Sequence, residues 1–367
     1  MKQVWDLAVV GAGPAGAAAA LTAARAGASV VLLEKASVPR YKRCGGGLIG
    51  PSRQALVDLG VEPVARDTAF SISMALDGRR EFTRVAPEPF LPLVLRSELD
   101  AALTAAGVDA GVALRTGVTV GAYAEEAGTV TLGTSEGPVW ARHVVAADGS
   151  ASRAASYVGV LCDQVDLGLE CEVPAPTGWD GHVHLDWGPV PGSYGWVFPK
   201  GDSLTVGVIG ARSSGEALRD YYRAFVDRLG LDRSTATEDG GHLTRVRAPG
   251  SPLERGRVLV AGDAAGLLEP WTREGISFAL RSGVLAGRAV TGGMPYTAAV
   301  QTALGEEVDA GRRALAAFTA KPWLVHEVMR RLPSMWPLFV DLVSGRTTMA
   351  EQVSRRRVQV LLRLAGG

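Results

Sequence analysis

The stretch VWDLAVVGAGPAGAAAALTAARAGASVVLLE, residues 4–34, reads as one strand–turn–helix–strand unit. Residues 4–10 form an apolar run of the length expected for a buried parallel strand. Residues 14–26 are an alanine-rich helix ended by Gly27, and residues 29–33 are a second strand. Gly11, Gly13 and Gly16 fill the first turn, with Ala15 among them. At this spacing the first glycine permits the tight bend and the second lets backbone approach a pyrophosphate. The third allows close helix–strand packing, while the helix N-terminus faces negative charge. Glu34 closes the second strand 18 residues after Gly16, where a carboxylate can accept ribose hydroxyls, and Lys35 follows it. The unit predicts a Rossmann-type dinucleotide site.

Two more strand ends carry acidic turns. Asp148 stands in ADGSASR, residues 147–153, and Asp263 stands between Gly262 and Gly266 in GDAAG. An acid so placed can accept hydrogen bonds from ribityl hydroxyls, and a following helix aims amides at a ring or phosphate. Residues 97–107 predict a helix with Ser97 as N-cap and Gly107 at its end. Strands are expected near 112–122, 129–134, 139–147 and 256–262. Residues 165–210 alternate in the manner of an antiparallel sheet. Helices are expected at 216–230 and 275–290. The remainder, 297–364, reads as helical and broken at Pro322, Pro333 and Pro337.

The chain has 367 residues, enough for two or three lobes. Its 38 basic and 38 acidic residues balance, so the broad positive field needed for nucleic-acid binding is missing. The balance is uneven, because residues 321–367 hold eight Lys or Arg against three Asp or Glu. Three cysteines, Cys44, Cys162 and Cys171, make no disulfide framework and predict a reducing, cytoplasmic setting. The N-terminus does not read as a signal peptide, and no apolar run is long enough to span a membrane. His182 and His184 share a strand face without a third ligand nearby, so no metal site is expected.

The three motifs in this order, over residues 1–290, resemble the large family of FAD-dependent hydroxylases, reductases and halogenases. The resemblance implies FAD, bound without a covalent link, and a role for Arg96 in the flavin site. It also implies a discontinuous FAD domain of residues 1–70, 95–160 and 250–295. Residues 71–94 and 161–249 would form a sheet domain for substrate, and 296–367 a helical region. Two further segments are similar to the geranylgeranyl reductase family, whose members saturate isoprenoid double bonds. They are Arg40-Tyr41-Lys42-Arg43-Cys44-Gly45-Gly46-Gly47-Leu48 and Pro191-Gly192-Ser193-Tyr194-Gly195-Trp196-Val197-Phe198-Pro199-Lys200. The tail FVDLVSGRTTMAEQV, residues 339–353, continues the likeness.

These segments also have a physical reading of their own. Three consecutive glycines let a flat ring system approach the backbone. Basic residues upstream of them, Arg43 included, can meet phosphate or an anionic reduced flavin. Cys44 stands beside them and carries an S–H that can serve as a proton donor. Tyr194, Trp196 and Phe198 alternate and share one strand face, a wall for an apolar substrate. The family pattern has Gly-Glu-Gly-Ile after the third FAD motif. Here Arg273 replaces the first glycine, ahead of Glu274, Gly275 and Ile276, and would crowd or recharge the site.

The expected FAD contacts are therefore Gly11, Gly13, Ala15, Gly16, Glu34, Lys35, Arg43, Cys44, Gly45, Gly46, Arg96, Asp148, Gly262, Asp263, Gly266, Gly275 and Ile276. The expected catalytic residues are Cys44, Tyr194, Trp196 and Arg273. The expected reaction is reduction of a carbon–carbon double bond in a hydrophobic or prenylated substrate. An external electron donor is expected, either NADPH or a ferredoxin-type protein, and the sequence carries no NADPH-binding motif separate from the FAD site. A monooxygenase or a halogenase-like enzyme is the alternative on this fold, although the first Trp and the Ile of the halogenase Trp-x-Trp-x-Ile-Pro motif are absent. In the tail, apolar and aromatic residues such as Trp323, Trp336 and Phe339 stand among Arg330, Arg331, Arg346, Arg355, Arg356, Arg357 and Arg363, a combination that suits contact with a membrane surface.

Overall fold

The computed structural model describes residues 3–366. One sheet runs in the order Ala113–Thr116, Val30–Glu34, Val4–Val10, Gly137–Ala146, Val258–Val260, with Glu254–Arg255 at the edge. Pairings among the first five strands are parallel. Such strands are buried on both faces, which is why 4–10 and 30–34 read as unbroken apolar runs. Val10 pairs with Ala146, and Ala146 with Val260, so three strand ends finish side by side. Ligands bind outside such carboxyl ends. The strand expected near 112–122 is two strands, Ala113–Thr116 and Val120–Glu126. Gly117, at φ +76°, turns the chain between them.

Pro14–Arg25 packs against Ile276–Gly292. A Cβ at Gly283 would lie 2.2 Å from the Ala15 carbonyl oxygen, and one at Gly287 would lie 2.7 Å from that of Ala19. The small residues of both helices therefore let the backbones touch. The helix expected at 97–107 spans Arg96–Asp109, with Leu95 as its cap and Ser97 inside the first turn. Arg96 joins the helix because its guanidinium bonds Asp100 one turn later, at 2.9 Å. Gly107 is buried within the helix rather than ending it.

The second sheet has the order Thr237–Arg247, Cys162–Pro174, Ser203–Ala211, Tyr194–Pro199, His182–Trp187, Ser71–Leu76, Arg79–Val85. It is antiparallel as expected except at one pair. His182–Trp187 runs parallel to Ser71–Leu76, which reaches the sheet from a distant part of the chain. One face is covered by the helix Gly215–Arg228, on which Cys171, Val197, Val206 and Val208 pack. The other face looks toward the first sheet's ligand edge and the C-terminal helices. Those helices are Glu306–Ala320, Pro322–Arg331, Trp336–Val343, Met349–Ser354 and Arg356–Ala365. Pro322 and Pro337 sit in first turns, where a missing N–H costs nothing, so they begin helices rather than break them. Among the described residues, no helix is long and apolar enough to cross a membrane.

Candidate active site

The glycine turn has two kinds of glycine. A Cβ at Gly11 would meet the Ala147 carbonyl oxygen at 2.4 Å, and one at Gly16 would meet that of Gly11 at 1.8 Å. Those two are demanded by the protein's own packing. Gly13 is different, because a Cβ there would find no protein atom nearer than 3.8 Å, and both neighbours are guanidinium nitrogens, of Arg40 and Arg96. An open, cationic cradle over a helix N-terminus with no side-chain cap fits a pyrophosphate. Glu34 is buried at the end of its strand; its Oε2 accepts the Ala12 amide at 2.8 Å and faces Arg40 at 3.5 Å. Asp148 has one oxygen on the Arg153 amide and the other, Oδ1, buried without a partner. The residues therefore fit FAD. Gly11–Gly16, Glu34, Arg40, Arg96, Asp148 and Asp263 would hold it. Burial pushes the Asp263 carboxyl up, against the pull of Lys42 and Arg96.

The predicted basic cluster divides. Arg40 reaches the glycine turn and bonds Asp100 at 3.1 Å. Arg43 lies instead over Gly240, whose Cβ it would meet at 2.7 Å, and pairs with Glu238 at 4.0 Å. Lys35 is exposed beyond its strand. Burial opposes the charge of Arg96, but Asp100 more than offsets this and its pKa is raised.

The Cys44–Gly47 loop crosses from this end to the second sheet. Gly46 has φ +74°, and a Cβ on it would lie 2.2 Å from the Val94 carbonyl oxygen. A Cβ at Gly45 would lie 3.1 Å from Phe198 and 3.2 Å from Trp196 Nε1. Packing against the protein thus already requires glycine at position 46 and leaves little room at position 45, besides any approach of a ring. Lys200, 4% exposed, pins the loop by donating to the Cys44 carbonyl at 3.1 Å and pairs with Glu172 at 3.6 Å. The Cys44 thiol accepts the Gly46 amide at 3.4 Å. Gly262 and Gly266, at φ +58° and +65°, close the turn that carries Asp263.

Beyond the loop lies a cavity of roughly 200 Å³. Its lining brings together Cys44, Gly45, Gly46, Tyr194, Trp196, Phe198, Arg273, Gly275 and Ile276, which the sequence had singled out. Ile72, Leu185, Trp187, Trp271, Phe339 and Val343 complete a mostly apolar wall. Alternation explains it. Tyr194, Trp196 and Phe198 face the cavity while Gly195 and Val197 face the covering helix. The Tyr194 hydroxyl donates to the Thr272 carbonyl, and burial pushes its pKa up, so its proton is held.

Arg273 corrects one expectation. Its φ is +56°, a glycine-like conformation. Its side chain neither crowds nor recharges the cavity, because Nε pairs with Asp166 at 3.1 Å and Nη1 donates to the Trp271 carbonyl at 2.7 Å. The guanidinium stacks on the Tyr194 ring, 5.6 Å from its centroid. Asp166 cancels the charge. The residues that sequence reasoning missed are Asp166, Glu170, Lys200 and His242. Burial pushes His242 down to about 4, with Lys42 and Arg43 adding to the effect.

A family model described as FAD binding domain matches residues 5–167. The chain is 32% identical over 315 residues to digeranylgeranylglycerophospholipid reductase 2 of Methanopyrus kandleri, covering 77% of this chain and 76% of that one. It is 28% identical over 342 residues to the menaquinone reductase of Mycolicibacterium smegmatis, covering 83% and 81%. The solved structure of a geranylgeranyl bacteriochlorophyll reductase-like protein from Thermoplasma acidophilum has the same fold. Its TM-score is 0.79, at 19% identity and with all of both chains covered. With a cradle that fits FAD and a relative 32% identical over 77% of its length, the chain belongs to the geranylgeranyl reductase family of FAD-dependent oxidoreductases.

Proposed function

We propose that this reductase saturates a carbon–carbon double bond in the prenyl chain of a lipid or quinone. The observation that carries the reading is the cavity. Its wall is mostly apolar, it adjoins the Cys44–Gly46 loop and the start of the Ile276 helix, and the Arg273 guanidinium that lines it is already neutralised by Asp166. Such a space favours a hydrocarbon chain and excludes water. Bound FAD, once reduced by NADPH or a ferredoxin-type donor, supplies a hydride to one alkene carbon. The protein's share is to align the alkene, keep the space dry and deliver a proton to the other carbon. Cys44 and Trp196 border the reacting carbons, while Tyr194 and Arg273 hold the Thr272 segment against them. Residues 1–70, 95–160 and 250–295 form the FAD unit in this reading, residues 71–94 and 161–249 the substrate unit, and 296–367 its helical cover.

The relatives' names, a phospholipid reductase and a quinone reductase, support a prenylated substrate. A bilayer-resident substrate also motivates contact between the exposed, basic Arg355–Arg357 segment and a membrane surface. The test is anaerobic incubation of dithionite-reduced protein with menaquinone, geranylgeranyl diphosphate or an unsaturated archaeal-type lipid, followed by mass spectrometry. A gain of two hydrogens in the prenyl chain of one of them is expected, one that persists after air reoxidises any quinol to the quinone. No gain in any, together with oxygen-dependent product, would overturn the reading.

A further inference from the structure

Glu170 sits in the middle of the cavity-facing side of the second sheet. It is fully buried, it lines the cavity, and neither carboxyl oxygen has a hydrogen-bond partner. The sheet is shaped around it. Glu170 pairs with Gly207 on one side and Gly240 on the other, so no side chain stands beside it in its own row. Trp196 lies over Gly207, where a Cβ would be 2.4 Å from the indole, and Arg43 lies over Gly240. Glu172, two residues on, shows the contrast: it accepts from Thr205 at 3.3 Å and pairs with Lys200. A buried carboxyl without hydrogen bonds is costly as an anion and tolerable as a neutral acid.

We propose that Glu170 is the general acid that protonates the substrate alkene in this cavity, a role that rests on the reductase function proposed above. The reduced flavin's hydride brings two electrons and one hydrogen to one alkene carbon. The Glu170 O–H bond breaks and its proton goes to the other carbon, so C=C becomes CH–CH and Glu170 becomes a carboxylate. Lys200, at the end of the Tyr194–Pro199 strand, and Lys42 and Arg43, on the glycine loop, then favour that anion. Glu172 opposes it, and His242, on the neighbouring Thr237–Arg247 strand, stays neutral. Solvent returns the proton when product leaves. Burial is the main influence on the carboxyl and pushes it up to about 7, which suits an acid working at neutral pH. Tyr194 is the weaker candidate, because its proton is committed to Thr272.

Two measurements test this. Infrared titration of the FAD-loaded protein, without substrate, should show a protonated-carboxyl band that fades as pH rises through about 7 and is absent in Glu170→Gln. A carboxyl ionised throughout the range from about 5 to 8 would overturn the proposal. Single-turnover oxidation of the reduced protein by a prenyl alkene should slow by about 10²-fold or more in Glu170→Gln and lose its fall with rising pH. Reduction of the flavin by dithionite should change less than about twofold. Cys44→Ser should keep the pH dependence. If the wild type reduces the alkene and Glu170→Gln keeps pace with it, the Glu170 assignment alone falls. If the wild type reduces no prenyl alkene while its carboxyl titrates as described, the reductase reading falls, and this role with it.

Discussion

Arg273 and Glu170 show how the same sequence signal, a charge where hydrocarbon is expected, resolves in opposite ways. Arg273 is neutralised by Asp166, and both side chains are almost fully buried. Removing one member of such a pair strands the other's charge, at a cost of about 3 kcal/mol or more. Arg273→Met should therefore lower the urea midpoint clearly, and adding Asp166→Asn should recover most of the loss. Equal stability of the single variant and the wild type would contradict the pairing. Glu170 has no such partner. Its carboxyl is held near 7, above the ordinary 4.5, so the stability it contributes is fully present below about 4.5 and is lost as pH rises through about 7. Glu170→Gln should match the wild type at pH 4 and exceed it by roughly 3 kcal/mol at pH 8, as read from urea unfolding at both pH values. The reverse pH trend would contradict the buried-acid account. Neither outcome was legible in the sequence. Glu170 alternates with Leu169 and Cys171, a pattern identical to that of a solvated strand face.

Among the elements, the strand–turn–helix at residues 4–25 was the most legible, because each glycine there answers a short-range demand. Gly16 touches the Gly11 carbonyl, whereas Gly13 faces open space between two guanidiniums. The two should therefore fail differently. Gly16→Val should disrupt the fold, whereas Gly13→Val should preserve the circular-dichroism spectrum and melting behaviour of the apoprotein but purify without yellow colour. Normal flavin content in Gly13→Val would contradict the assignment of this turn. The aromatic strand Tyr194–Pro199 was equally readable, since period-2 alternation fixes its face. What local pattern could not show is who meets that face. The parallel pairing of His182–Trp187 with Ser71–Leu76, the Lys200 contact with the Cys44 loop and the split between Arg40 and Arg43 are all long-range. The early start of the Arg96 helix has another cause, since an i, i+4 ion pair outweighs the N-cap preference of Ser97.

Across the whole molecule, the C-terminal helices have two faces. Phe339, Leu342 and Val343 close the cavity, and Met335 and Val340 are buried, so much of the apolar content of the tail is core. Trp323, Val360 and Leu364 remain exposed, and Arg355, Arg356 and Arg357 stand exposed on the same terminal segment. That surface should bind anionic vesicles at low salt, release them at high salt and lose binding when the three arginines become alanine. Flotation is the assay, and a protein that stays off the vesicles at low salt would contradict membrane access. The fold alone does not choose the chemistry, because reductases, hydroxylases and halogenases share it. The choice rests on electron flow, and one measurement follows it directly. Protein reduced anaerobically to the stoichiometric point is mixed with a prenyl alkene while flavin absorbance and substrate mass are followed together. One flavin should be reoxidised for each double bond lost, in the absence of oxygen. A flavin that stays reduced until oxygen enters, with hydroxylated or halogenated product or none, would contradict the reductase reading.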